Sequence, residues 1–205
     1  ALVLMATPDP TLMARLGAHA EATEKFGKNC SVTVDSVGEE YDADGKVTKT
    51  TRSSMRVTSR NGKQTRLLTK YEENGVDLTE KKRRELEAHE DKPMHSPFLP
   101  GEQAKYRFPQ LGENRVGFEP LVKSPDVFIG EATIDAEAGV PRVITLQPAK
   151  LPAFVDSLSL MLTIDSPTPI GDTASKVTVK GVAGFLFIKK RFGIVTTFRD
   201  YEAVK

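Results

Sequence analysis

The chain has no tryptophan, a single cysteine, and no apolar run near the roughly 18–20 residues that a membrane-spanning helix requires. With Cys30 alone, an intrachain disulfide is impossible and cysteine-based metal frameworks are excluded. Neither sign of charge dominates: 29 Lys and Arg against 28 Asp and Glu leave a formal net charge of +1, so no global field points to nucleic acid. Phosphate-binding loops of the G-x-x-x-x-G-K-[ST] and G-x-G-x-x-G types are missing, as is the G-x-S-x-G nucleophile elbow. The opening "ALVLMATPDP" is too short and too uncharged to be an intact signal peptide, so the expectation is that any such peptide has been removed.

What is present is turn-rich and β-like. Thirteen prolines and fifteen glycines punctuate 205 residues, enough chain for one large domain with a real core, and residues 1–205 are read as a single unit. One helix is signalled first: Asp9 can cap it, Pro10 suits its first position and Gly27 stops it. Leu12, Met13, Leu16, Ala20, Thr23 and Phe26 form a stripe along it, suited to packing on a sheet, with His19 at the core edge. From residue 29 the period shortens to two. "CSVTVDSVGEEY", "KVTKTTRSSMRVTSR" and "KQTRLLTKY" read as antiparallel strands reversed at "DADGK", at Asn61-Gly62 and at "EENG".

The second half returns to strands, about ten in all for the chain, so the sheet must curve, close or split. "DAEAG" is a hairpin loop, "IKKRFG" begins another reversal, and Gly181 and Gly184 are candidate bend or bulge points. Leu158, Leu160, Leu162 and Ile164 share one face of their strand, and Phe128, Gly130, Ala132 and Ile134 share one face of theirs.

Between the halves lies "GVDLTEKKRRELEAHEDKPMHSPFLPG", residues 75–101. Asp77 and Glu80 resemble a capping box, and Glu80/Arg84 and Arg83/Glu87 have ion-pair spacing. Leu78, Leu86 and Ala88 give this helix little to bury. The loop after it has more: Met94, Phe98 and Leu99, held by Pro93, Pro97 and Pro100, are expected to cover one end of the sheet. His89, Asp91 and His95 straddle the helix end without a fixed ligand geometry, so no metal and no cofactor are expected. No carboxylate pair is singled out for acid–base work, and a non-enzymatic protein is expected.

Eight basic residues and no acid lie between Lys46 and Lys70. Arg52, Arg56 and Arg60 share strand parity, and a two-residue turn at Asn61-Gly62 puts Lys63 opposite Arg60. This face suits anionic headgroups or an acidic partner protein, or is simply a solvated hairpin whose charges discourage edge pairing. Without interleaved aromatics it does not suit single-stranded nucleic acid.

The layout of an N-terminal helix, consecutive hairpins, a mid-chain insertion, then "FIGEATIDAEAGVPRVITLQP" and "SKVTVKGVAGFLFIKKRFGIVTTFRDYE", resembles the lipoprotein-localisation carriers (LolA/LolB) and their superfamily. The resemblance spans roughly residues 9–203 and is sharpest over Gly130–Pro148. It implies an α+β, mainly antiparallel, curved and unclosed half-barrel in the periplasm or cell envelope. Acyl chains of lipid or lipoprotein would be the cargo, and a regulatory or assembly role through protein binding is the alternative. On that reading the cavity candidates are Phe98, Leu99, Phe128, Ile134, Leu146, Leu158, Leu160, Leu162, Phe185 and Phe187. Arg52, Arg56, Arg60 and Lys63 would meet the anionic surface or an envelope protein.

Overall fold

A computed structural model describes residues 7–86, 95–185 and 188–204, apart from the side chains of Leu86, Phe185 and Ile188. Met94, His89, Asp91 and Phe187 therefore lie outside the described residues, as do Glu87 and Ala88.

Helix α1 runs Pro10–Gly27, with the Asp9 carboxylate accepting the Thr11 N–H at 2.7 Å. Strands β1 (Cys30–Tyr41), β2 (Val47–Arg60), β3 (Lys63–Glu73) and β4 (Val76–Asp77) follow as a meander. Asn61 at φ 52° and Gly62 at φ 81° make the left-handed pair that a tight hairpin turn needs. Helices α2 (Thr79–Leu86) and α3 (Pro100–Gln103) lie in the insertion. A second meander holds β5 (Tyr106–Arg107), β6 (Gln110–Gly112), β7 (Arg115–Pro120), β8 (Phe128–Asp135), β9 (Val140–Pro148), β10 (Val155–Thr168), β11 (Gly171–Phe185) and β12 (Ile188–Ala203).

All twelve strands join one antiparallel sheet in the order β4-β3-β2-β1-β12-β11-β10-β9-β8-β7-β5, with β6 also on β7. The sequence left one sheet and two packed sheets equally open. What decides it is the pairing of the first long strand with the last, from Cys30↔Ala203 to Tyr41↔Arg191. The sheet is not closed into a barrel, and its outermost strands β4 and β5 are two residues each, β4 pairing only with Glu72 and Glu73 of β3.

The register shows how the inner face, the one under α1, is graded. One row runs Ala132, Ile144, Leu162, Val177, Thr196, Ser36 and Ser53 from β8 to β2. The apolar end packs with Leu12, Leu16 and Ala20 of α1 and with Val116, Phe118, Ile134, Leu146 and Ile164. The polar end satisfies itself, as in the 2.9 Å hydroxyl contact between Ser36 and Thr196. The core thus sits over β7–β10, and this row becomes polar toward β2, whose inner face also carries Met55 and Val57, with Leu68 of β3 buried beside Met55.

Phe98 is only 1% exposed and completes that core, with Phe108 stacked at 5.7 Å and Phe118 edge-on at 5.9 Å. Leu99 is half-buried against the same cluster. The loop at 95–100 therefore covers this end of the sheet. Helix α2 docks elsewhere and by polar groups: Arg83 donates to the Leu68 carbonyl at 3.0 and 3.2 Å, and the Tyr71 N–H donates to the Thr79 hydroxyl at 2.9 Å. Its ion pairs are Glu80–Arg83 and Lys82–Glu85, one residue shorter in spacing than the expected Glu80/Arg84.

Two sequence expectations are corrected. Gly181 keeps an unbroken register with β12, so it is no bulge there; a Cβ would meet the Phe192 ring at 2.5 Å, and the glycine exists to seat that ring. The last reversal falls before "IKKRFG", because Phe185 already pairs with Ile188 and Lys189–Gly193 are within β12.

Candidate ligand cleft

Pairing between β9 and β10 covers only Val143–Leu146 against Leu160–Thr163. Beyond Leu146 and Leu160 the strands part. A cleft of about 390 Å³ opens between them, lined by Gln147, Pro148, Leu151, Ser157, Leu158 and Ser159 among others. A larger cleft, about 660 Å³, lies on the inner face near the same end of the sheet, on β10–β12.

The larger cleft is built from the register. Val155 pairs with Ala183, Gly181 with Phe192, and Phe192 with Glu40, so alternate residues of four strands aim at one space. Phe154 adds to its wall from a left-handed backbone, φ 67°, which a bulky residue adopts only when its surroundings hold it there. One such hold is the Gly184 N–H, which donates to the Phe154 carbonyl at 2.9 Å. The only charged groups among the lining residues, Lys190 and Glu40, pair with each other at 2.9 Å. Such a space can take an apolar ligand and offers no array for bond-making chemistry.

The sequence-selected residues fall into different settings. Phe98, Ile134 and Leu146 are buried in the packed core. Leu99, Phe128, Leu160 and Leu162 pack against it half-buried. Leu158 lines the smaller cleft. Phe187 and the Phe185 side chain lie outside the described residues. Sequence reading missed Phe154, Val155, Ala183 and Phe192. For Phe192 a signal existed, since "RFG" sits at the inward parity of a strand whose neighbour carries Gly181.

On the opposite face, Arg52, Arg56 and Arg60 occupy alternate β2 positions, with Lys63 paired across from Arg60. Arg56 is already engaged: it donates to the Thr33 hydroxyl, to the Asp200 carbonyl at 3.0 Å and to the Glu202 carboxylate. This lowers what the hairpin can offer an external anion.

The other charged clusters are structural. Arg15 donates to the carbonyls of Ala136 and Glu137 at 3.0 and 3.1 Å, tying α1 to the β8–β9 turn. Arg142 bridges Asp135 and Asp172, and the His19 Nε2–H donates to the Asp172 carbonyl at 2.9 Å. The Ala138 backbone N–H, and then Arg142, hold the Asp135 carboxyl below the usual carboxylate range. His95 lies 3.6 Å from Glu24. Among the described residues, no group of three or more His, Cys, Asp or Glu could hold a metal ion. None of their helices is long and apolar enough to cross a membrane.

No family model matches the chain, and no curated protein does. Solved structures similar to it include two of MucB. The MucA/MucB complex of Pseudomonas aeruginosa has 11% identity, covers 95% of this chain and 99% of that chain, and has a TM-score of 0.28. MucB in complex with MucA(peri) has 9% identity, with 96% and 100% covered and a TM-score of 0.28. At that score the likeness carries no argument about this chain's fold or function.

Proposed function

We propose that the protein is a non-enzymatic cell-envelope binder of acyl chains, held in the cleft of Phe154, Val155, Ala183 and Phe192. The observation that carries this reading is an apolar stretch on the inner face, at β10–β12, that no group among the described residues covers. An apolar chain needs burial and shape but no polar partner, and about 660 Å³ is within the range of small-molecule sites. A periplasmic address belongs to the same reading, because lipid-linked chains crossing between membranes need such a shelter.

The test is displacement of a fluorescent fatty-acid probe from the purified protein. Ala183→Trp fills the cleft from a half-buried strand position and is expected to weaken probe binding about tenfold or more. Leu67→Ser, on the opposite face and 57% exposed, is expected to leave it unchanged. Equal probe binding by wild type and the Ala183→Trp variant would sink the proposal. The protein-binding alternative would show instead as capture of an envelope protein that is lost on changing Arg52 and Arg60. It has less support, because Arg56 between them is already paired within the chain.

A further inference from the structure

Among the described residues the four most exposed large apolar side chains are Val122 at 78%, Phe154 at 63%, Val76 at 59% and Leu121 at 58%. All four lie at one end of the sheet. The register puts Pro120, Phe128, Pro148, Val155 and Ala183 toward that end, so the loops at 121–127 and 149–154 leave the sheet side by side. Leu151, 37% exposed, lies on the second of these loops. The turns at the opposite end, 61–62, 113–114, 136–139 and 169–170, carry no exposed large apolar residue. Exposed large apolar loop residues therefore gather at one end of the sheet, although the 42–46 turn there is polar and Leu111, 38% exposed, lies near the other end.

From this we infer that loops 121–127 and 149–154 seat the protein on an anionic lipid bilayer, with Leu121, Val122, Leu151 and Phe154 entering the interface. Three observations favour a bilayer over a folded partner. The apolar groups stand on separate loop tips two strands apart, about 10 Å, and a planar apolar layer accepts each tip without matching a shape. Lysines adjoin them: Lys123 follows Val122 and Lys150 precedes Leu151, both exposed, while Asp126 is the only acid on the two loops. Long lysine side chains at that height reach headgroup phosphates while their stems stay apolar. Val76 shares this end but is flanked by Glu73 and Asp77, so that part of the rim is excluded from the contact.

This adds to the acyl-chain reading a source for the chain, since Phe154 belongs both to the rim and to the cleft wall. The two stand or fall separately. The experiment is flotation with phosphatidylcholine vesicles, with and without phosphatidylglycerol, run alongside the soluble fatty-acid probe. Wild-type protein is expected to float with the phosphatidylglycerol vesicles. Leu121→Ser/Val122→Ser should weaken partitioning about tenfold or more, and Lys123→Glu/Lys150→Glu by roughly a similar factor. The Leu67→Ser control should float like wild type, and the Leu121→Ser/Val122→Ser protein should keep its probe binding. Wild type that stays unbound overturns the inference, as does floating that is indifferent to the loop changes or equally lost in the control. Vesicle binding without probe binding supports the rim and refutes the cleft.

Discussion

Phe98 is the residue on which the covering loop depends, and its truncation gives the sharpest stability test. The side chain is 1% exposed, lies between the rings of Phe108 and Phe118, and its carbonyl accepts the Gln103 side-chain N–H at 2.8 Å. Phe→Ala in a packed core costs about 3–5 kcal/mol, a range that already contains the two ring contacts. The loop can settle partly into the vacated space, so the lower end, about 3 kcal/mol, is expected for Phe98→Ala. Phe98→Leu keeps most of the volume and should lose only about 1.5 kcal/mol. Urea unfolding followed by circular dichroism measures both. Hydrogen exchange at the Gln103 and Lys105 amides, which bond within the loop at 2.9 Å each, separates loop release from global unfolding. If Phe98→Ala stays within about 0.5 kcal/mol of wild type, and those amides keep their protection, the loop is not a cover and the reasoning fails.

Gly130→Ala should cost about 3 kcal/mol or more, because the new Cβ would sit 2.1 Å from the Thr145 carbonyl and 2.9 Å from the Leu146 Cα, backbone that cannot step aside. Gly101→Ala, with nothing within 4 Å, is the matching control and should be neutral or slightly stabilising by thermal melt. Burial pushes the Tyr201 phenol up to about 12, and it donates to the Ala174 carbonyl at 2.8 Å. Its folded value is above the unfolded value of about 10, so its contribution is complete below pH 10 and declines as pH rises toward 12. The hydrogen bond to Glu39 raises Tyr41 and burial raises Tyr106 as well, so phenolate absorbance should show Tyr201 as the last step, and Tyr201→Phe should remove that step and flatten the alkaline stability profile; a last step that survives in Tyr201→Phe refutes it.

Local chemistry made much of this legible. Asp9-Pro10 and Gly27 bound α1 because cap and stop residues act within one turn, and Asn61-Gly62 set a hairpin because only its own φ angles matter. The stripe of Leu12, Leu16 and Ala20 is buried, as helical period alone requires. Non-local facts were not legible. That β1 pairs with β12 depends on two segments about 160 residues apart, and neither carries a mark of the other. Helix α2 has too few apolar residues for a core element, which left solvent exposure or docking by one edge. It docks through Arg83 and Thr79 on β3 backbone, and that depends on which carbonyls a strand leaves free. The larger cleft was invisible for the same kind of reason: it forms where residues of β1, β10, β11 and β12 come into one register, and that register is a property of the strands together.

The dimensions explain why a sheet of this kind leaves something uncovered. Helix α1 has 18 residues, so it is about 27 Å long, whereas the ten intervals between the eleven strands of the sheet's path, at about 4.8 Å each, make it about 48 Å across. Whatever its orientation, α1 shields at most about half that width, and α2 adds only eight residues. The remaining inner face must be polar, be covered by loops, or hold something else. Toward β2 it is mixed: Ser36, Ser53, Thr51 and Thr196 make one part polar, while Val34, Met55, Val57 and the buried Leu68 share the same face. Over β7–β10 it is covered by Phe98 and its loop. On β10–β12 neither solution operates among the described residues: Ile194 is 36% exposed, and Phe192, Val155 and Ala183 face open space. A serine or threonine at any of these positions would fit a strand equally well, as it does three strands away. Their remaining apolar where no group among the described residues covers them is what the acyl-chain proposal accounts for by an apolar occupant.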